Sequence, residues 1–69
     1  MGKTMTAKEV VKALESQGFV AVAHNATAHK KMRHTDGRWT IVPMHTGDID
    51  VSLLKKIERQ TGVKIRELG

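Results

Sequence analysis

The chain has 69 residues, with twelve Lys and Arg against seven Asp and Glu, a formal charge of +5 and no cysteine. A chain of that length forms one small domain spanning residues 1–69 that buries only about 60 % of its unfolded surface; the lack of cysteine excludes disulfide staples and thiolate metal sites. No apolar run approaches the roughly 20 residues of a membrane-spanning helix, nothing reads as a signal peptide, and a cytoplasmic protein with no membrane partner is expected.

"TAKEVVKALESQG" carries both ends of a helix. Thr6 and Glu9 have the spacing of a capping box, in which each side chain accepts a hydrogen bond from the other residue's backbone N–H. Val10, Val11, Ala13 and Leu14 form an apolar stripe while Lys8, Lys12 and Glu15 face water, and Gly18 stands where a left-handed residue ends the helix. "FVAVA", residues 19–23, reads as a strand. After the short polar link "HNAT" comes a second strand, "HKKMRH", closed by "TDGR", in which Gly37 supplies the positive φ of a tight hairpin. "WTIVP" is the third strand, ended by Pro43, which has no N–H to donate. "MHTGDID" reads as a loop offering Asp48 or Asp50 as an N-cap. "VSLLKKIERQTG" is a second helix with Leu53, Leu54 and Ile57 inward and Gly62 as its stop. The tail "VKIREL" adds a short strand or packs back. The expected fold is α+β in the order α-β-β-β-α: a three-stranded antiparallel sheet with both helices on one face and the other face bare.

All four histidines lie within residues 24–45, together with Lys30, Lys31, Arg33 and Arg38 and a single acid, Asp36. This segment has a net charge of +3 and each flank has +1, the footprint of a polyanion partner. Strand alternation with Met32 inward puts His29, Lys31 and Arg33 outward in a row of about 13 Å. Such a row suits phosphodiester chemistry. Cations hold the phosphate, and an imidazole, whose ordinary pKa is near 6.5, exchanges protons at neutral pH. RNA carries its own nucleophile in the 2′-hydroxyl, so no metal is obligatory. The spacing of His24, His29, His34 and His45 repeats no usual ligand pattern, and neither metal nor cofactor is expected. His24 and His34 taken singly read as ordinary surface residues. Trp39, the one tryptophan, is expected in the core.

The segment "HNATAHKKMRHTDGRWTIVPMHTGDIDVSLLKKIERQTG" resembles the HicA family of bacterial toxins, mRNA interferases paired with the antitoxin HicB. The pattern is carried by Thr27, His29, Lys31, Met32, Gly37, Arg38, Val42-Pro43, His45, Gly47, Leu54, Lys55, Ile57, Gln60 and Gly62. The resemblance implies a fold like the double-stranded-RNA-binding domain. It also implies metal- and ribosome-independent cleavage of mRNA by a single catalytic histidine, His29, and a HicB-like antitoxin that covers the active face. Contact with operator DNA would come only through the toxin–antitoxin pair. RNA would be bound by Lys30, Lys31, Arg33 and Arg38 with Thr27, and His34 and His45 are further candidates. The family's glycine is Ala26 here, and Ala28 separates Thr27 from His29. The register that keeps His-x-Lys-Met without a gap makes His29 catalytic; the register that puts Ala28 in the histidine's place describes an inactivated toxin. Two other readings of the residues stand beside a nuclease: a non-catalytic module binding double-stranded RNA by shape and phosphate contacts, and a docking surface for an acidic protein.

Overall fold

The computed structural model describes residues 4–22, 29–44 and 47–68. The elements in chain order are β1 (Met5–Thr6), α1 (Ala7–Ser16), β2 (Val20–Val22), β3 (His29–Arg33), β4 (Trp39–Pro43), β5 (Asp48–Ile49), α2 (Val51–Thr61) and α3 (Ile65–Leu68). The main sheet is antiparallel, in the order β2-β3-β4. One core joins its inner face, through Met32 and Val42, to Val10 and Leu14 of α1, Leu54 and Ile57 of α2 and Ile65 of α3. This is the expected α+β arrangement, with helices packed on one face of a three-stranded sheet. Three short elements add to it.

α1 has both predicted ends. The Thr6 hydroxyl accepts from the Glu9 N–H at 3.1 Å and the Glu9 carboxylate accepts from the Thr6 N–H at 2.8 Å. At the other end Gly18, at φ +92°, donates to the Glu15 carbonyl, and the Phe19 N–H donates to the Leu14 carbonyl at 3.1 Å. These are the two bonds of a Schellman motif, sealed by contact between its apolar residues; Leu14 and Phe19 are both buried. Phe19 therefore spends its N–H on the helix, and the strand expected over residues 19–23 begins at Val20. Ala23 lies outside the described residues.

The β3–β4 connection is a three-residue loop. His34 and Arg38 close it, the His34 N–H donating to the Arg38 carbonyl at 2.8 Å and the Gly37 N–H to the His34 carbonyl at 3.0 Å; Gly37 has φ +99°. Asp36 braces the loop by accepting from the Arg38 N–H at 3.0 Å and from Arg38 Nε at 2.7 Å. The Arg38 guanidinium reaches on to the Thr61 carbonyl in the last turn of α2, where a cation also meets the negative end of the helix dipole. On the way it passes over the Phe19 ring, with Cζ 5.4 Å from the centroid.

α2 starts at Asp50, one of the two expected caps, whose carboxylate accepts from the Leu53 N–H at 2.8 Å, and it stops at Gly62. Leu54 and Ile57 are buried and Leu53 is partly so. The loop expected between β4 and α2 contains β5, which pairs with β1 through Met5↔Ile49 and Thr6↔Asp48; Met5 and Ile49 are buried. The tail packs back as α3 rather than as a strand. Glu58 holds its start by accepting from the Arg66 backbone N–H at 3.2 Å and pairing with the Arg66 guanidinium at 3.0 Å. Burial alone would raise the Glu58 pKa, but these bonds together outweigh it and the carboxyl lies below its ordinary value.

Two expectations follow. A Cβ added at Gly18 would stand 3.0 Å from His34 Nε2, whereas one at Gly37 meets nothing within 4 Å. Both glycines have positive φ, so Gly37→Ala should cost about 1–2 kcal/mol for the backbone alone, and Gly18→Ala more, because the His34 ring must also move; urea unfolding of both variants measures the difference. The second expectation concerns acid. The hydrogen bond from the Arg38 N–H, with smaller help from the Arg38 guanidinium and His34 and against some desolvation, holds the Asp36 carboxyl below its ordinary value. A carboxyl whose pKa is lower folded than unfolded stabilises the fold at neutral pH, and that contribution is lost as pH falls below about 4. Asp36→Asn should therefore flatten the acid limb of stability against pH without removing it, since Glu58 titrates with the same sign. An unchanged acid limb would assign no such role to Asp36.

Candidate nucleic-acid interface

Strand parity decides which basic side chains meet. Met32 is fully buried, so its neighbours on β3 point to the opposite face. The register sets Arg33 against Trp39, Lys31 against Ile41 and His29 against Pro43 on β4, and Arg33 against Val20 and Lys31 against Val22 on β2. The outer face thus has one central row, His29, Lys31 and Arg33, flanked by apolar side chains. None of the three strands contains a carboxylate. At this face the field is positive, and no acid on the sheet offsets it.

The row has an apolar floor. Val20 is 59 % exposed, Trp39 50 % and Ile41 37 %. Trp39 was expected in the core and is instead an outer-face residue, with Lys31 Nζ lying 4.8 Å from its ring centroid in a cation–π contact. Its place inside is taken by a threonine: Thr40 is fully buried, and its hydroxyl donates to Gln60 Oε1 of α2 at 2.7 Å. Hydropathy alone hides this exchange. The pairing of Thr40 with the inward Met32 reveals it.

The other candidates are distributed differently. Lys30 pairs with the buried Val42 and shares the helix side of β3 with Met32. His34 also turns to that side, its ring edge-on to Phe19 with centroids 5.1 Å apart. Its Nδ1 lies 3.1 Å from the Asp36 backbone N and 3.2 Å from Asp36 Oδ1. Arg38 is committed to Asp36 and Thr61, on the helix side as well. Thr27, His45, His24, Ala26 and Ala28 lie outside the described residues, which include β3 from His29 onward.

Among the described residues there is no group of three or more His, Asp or Glu that could hold a metal ion, and no helix is long and apolar enough to cross a membrane. What the face offers chemically is an imidazole at one end of a row of cations, exposed to solvent.

A search of curated proteins gives no match. The family model described as the HicA toxin of bacterial toxin–antitoxin matches residues 7–63, from the first residue of α1 past the end of α2. That span contains both principal helices, the whole three-stranded sheet and the row on its outer face. The chain belongs to the HicA family, toxins of bacterial toxin–antitoxin systems.

Proposed function

We propose that this toxin is an endoribonuclease of the cytoplasm that cleaves mRNA without a metal ion, with His29 as its catalytic residue, and that a HicB-like antitoxin neutralises it. The observation that carries the reading is the outward row of His29, Lys31 and Arg33 on a sheet face without a carboxylate. In the reaction His29 takes the proton of a ribose 2′-hydroxyl. The 2′-oxygen forms a bond to the adjacent phosphorus, the bond to the 5′-oxygen breaks, and that oxygen leaves with a proton supplied by water or the imidazolium. The products are a 2′,3′-cyclic phosphate and a 5′-hydroxyl, with no redox change and no external nucleophile. Lys31 and Arg33 stabilise the charge that grows on the non-bridging oxygens. In this reading Lys30, Arg38, His34, Thr27 and His45 serve RNA more peripherally, Arg38 chiefly through the hairpin it braces.

A second reading is a non-catalytic RNA-binding module, or a toxin inactivated because Ala28 holds the histidine's place; the alanine directly before His29 is what favours it. One experiment separates the two. Purified protein incubated with labelled RNA in excess EDTA should cleave it, and His29→Ala should lower the rate by roughly 10²–10⁴-fold, the usual worth of general acid–base catalysis. The variant should keep its fold by circular dichroism, keep antitoxin binding and lose growth inhibition. Undiminished cleavage by His29→Ala would remove His29 from the mechanism, and binding without scission would establish the module. For the cations, Lys31→Ala and Arg33→Ala should each weaken RNA binding about equally across sequences and reduce the slope of log affinity against log salt by about one. An unchanged slope in both would place the phosphates elsewhere.

A further inference from the structure

The edge of β4 away from β3 is not flat against α2. A groove of about 260 Å³ runs between them, walled by Trp39 and Ile41 on the strand and by Leu53, Lys56 and Gln60 on the helix. Three features give it a definite chemistry. Trp39 is half exposed, an expensive place for the largest apolar side chain in a chain with one tryptophan and one phenylalanine. Cations accompany it, Lys31 with its ammonium 4.8 Å from the ring centroid and Lys56 on the helix wall of the groove. The Gln60 carboxamide is oriented: the buried Thr40 hydroxyl donates to Oε1, and the reverse orientation would leave that hydroxyl's proton without its acceptor. The amide's NH₂ end is thereby turned away from Thr40, as a donor beside the groove.

A flat apolar group with acceptor atoms on its edge and a negative charge attached fits all three features. We propose that the groove is a nucleobase subsite, in which Trp39 stacks a base of single-stranded RNA and Gln60 donates to an acceptor on that base's edge. The proposal rests on the reading that the outer face takes RNA, and it adds a position to it. Trp39 pairs with Arg33 and His29 pairs with Pro43, at opposite ends of the β3–β4 ladder, about 13 Å apart along the strand. The stacked base therefore belongs to a neighbouring nucleotide and not to the one whose phosphate is cut. Trp39 and Gln60 would set which sequence is presented to His29 without touching the reacting atoms, which makes them specificity residues.

The single tryptophan supplies the assay. Wild-type protein is titrated with a short 2′-O-methyl RNA, which cannot be cut through its own 2′-oxygen. Binding is followed by anisotropy of a label on the RNA and, separately, by Trp39 fluorescence. Stacking should quench Trp39 as the RNA binds, and an abasic RNA with the same phosphates should bind without quenching. Trp39→Leu should lose roughly 5- to 150-fold in affinity, the range that one base stacked on an aromatic contributes, and Trp39→Phe should keep most of it. Gln60→Met should level the differences in affinity among oligonucleotides that vary at a single base. If RNA binds by anisotropy but leaves Trp39 unquenched and Trp39→Leu binds as wild type does, the subsite is wrong while the RNA-binding reading stands. If no RNA binds at all, both fall together. If only the antitoxin protein perturbs Trp39, the groove belongs to a protein interface and the subsite is overturned.

Discussion

The burial of Met32 fixes nearly everything on the outer face of the sheet. It is the one residue of β3 that is fully inside, and with a side-chain period of two it commits His29, Lys31 and Arg33 to the outside. Through the cross-strand register it also commits Val20, Val22, Trp39, Ile41 and Pro43. A slip of one residue would turn the whole row against the helices, placing two cations and an imidazole in the core. The register is in turn held by the hairpin. Its loop closes on Gly37 at positive φ, and Asp36 ties the loop to the first residue after it. The outward row therefore depends on a turn at the far end of the strands from His29.

Parity also divides the basic segment into two groups that composition lumps together. Lys31 and Arg33 face outward. His34 and Arg38 face the helices, where they serve the fold: the His34 ring packs on Phe19, and Arg38 links the hairpin, Phe19 and the last turn of α2. A domain of this size has a modest core, and a cation that satisfies a helix C-terminus while covering an aromatic ring adds order where apolar area is scarce. The cost is that Arg38 is less available to a ligand. Net charge in the window overstates the charge that reaches the outer face.

Where the signal was local and periodic, the sequence was legible. The capping box at Thr6 and Glu9, the stop at Gly18, the hairpin at Asp36-Gly37 and the end of β4 at Pro43 all stand where residue chemistry alone put them, and the α2 cap is one of the two acids that chemistry offered. The outward row followed from alternation in β3. Three things were not legible. β1 and β5 are two residues each, too short for any period to emerge, and their pairing sets the buried Met5 against the buried Ile49. The tail's alternation left a short strand and packing back both open, and Glu58, by reaching the Arg66 N–H, makes a helical turn the better solution. Trp39 failed for the most instructive reason. In β4 the odd positions, Trp39 and Ile41, look more apolar than the even pair, Thr40 and Val42, so hydropathy favours the wrong face. The correct face is set non-locally, by Met32 across the strand and by Gln60 twenty positions on, which satisfies the Thr40 hydroxyl.

That inversion bears on how the face works electrostatically. A polar floor beneath Lys31 and Arg33 would hold water close to both charges and screen them. Val20, Val22, Trp39 and Ile41 exclude water from one side of each cation, and the Trp39 ring replaces part of the Lys31 hydration shell with its own negative face. Charges lying on a low-dielectric surface act over a longer range than the same charges in bulk water. An approaching phosphate meets a stronger field than a net charge of +5 spread evenly over a small protein would produce. In the proposed reading the exposed apolar area, a liability for a free monomer, would also let two cations and an imidazole suffice for a polyanion, provided that the ligand brings flat apolar groups to cover the floor as it binds.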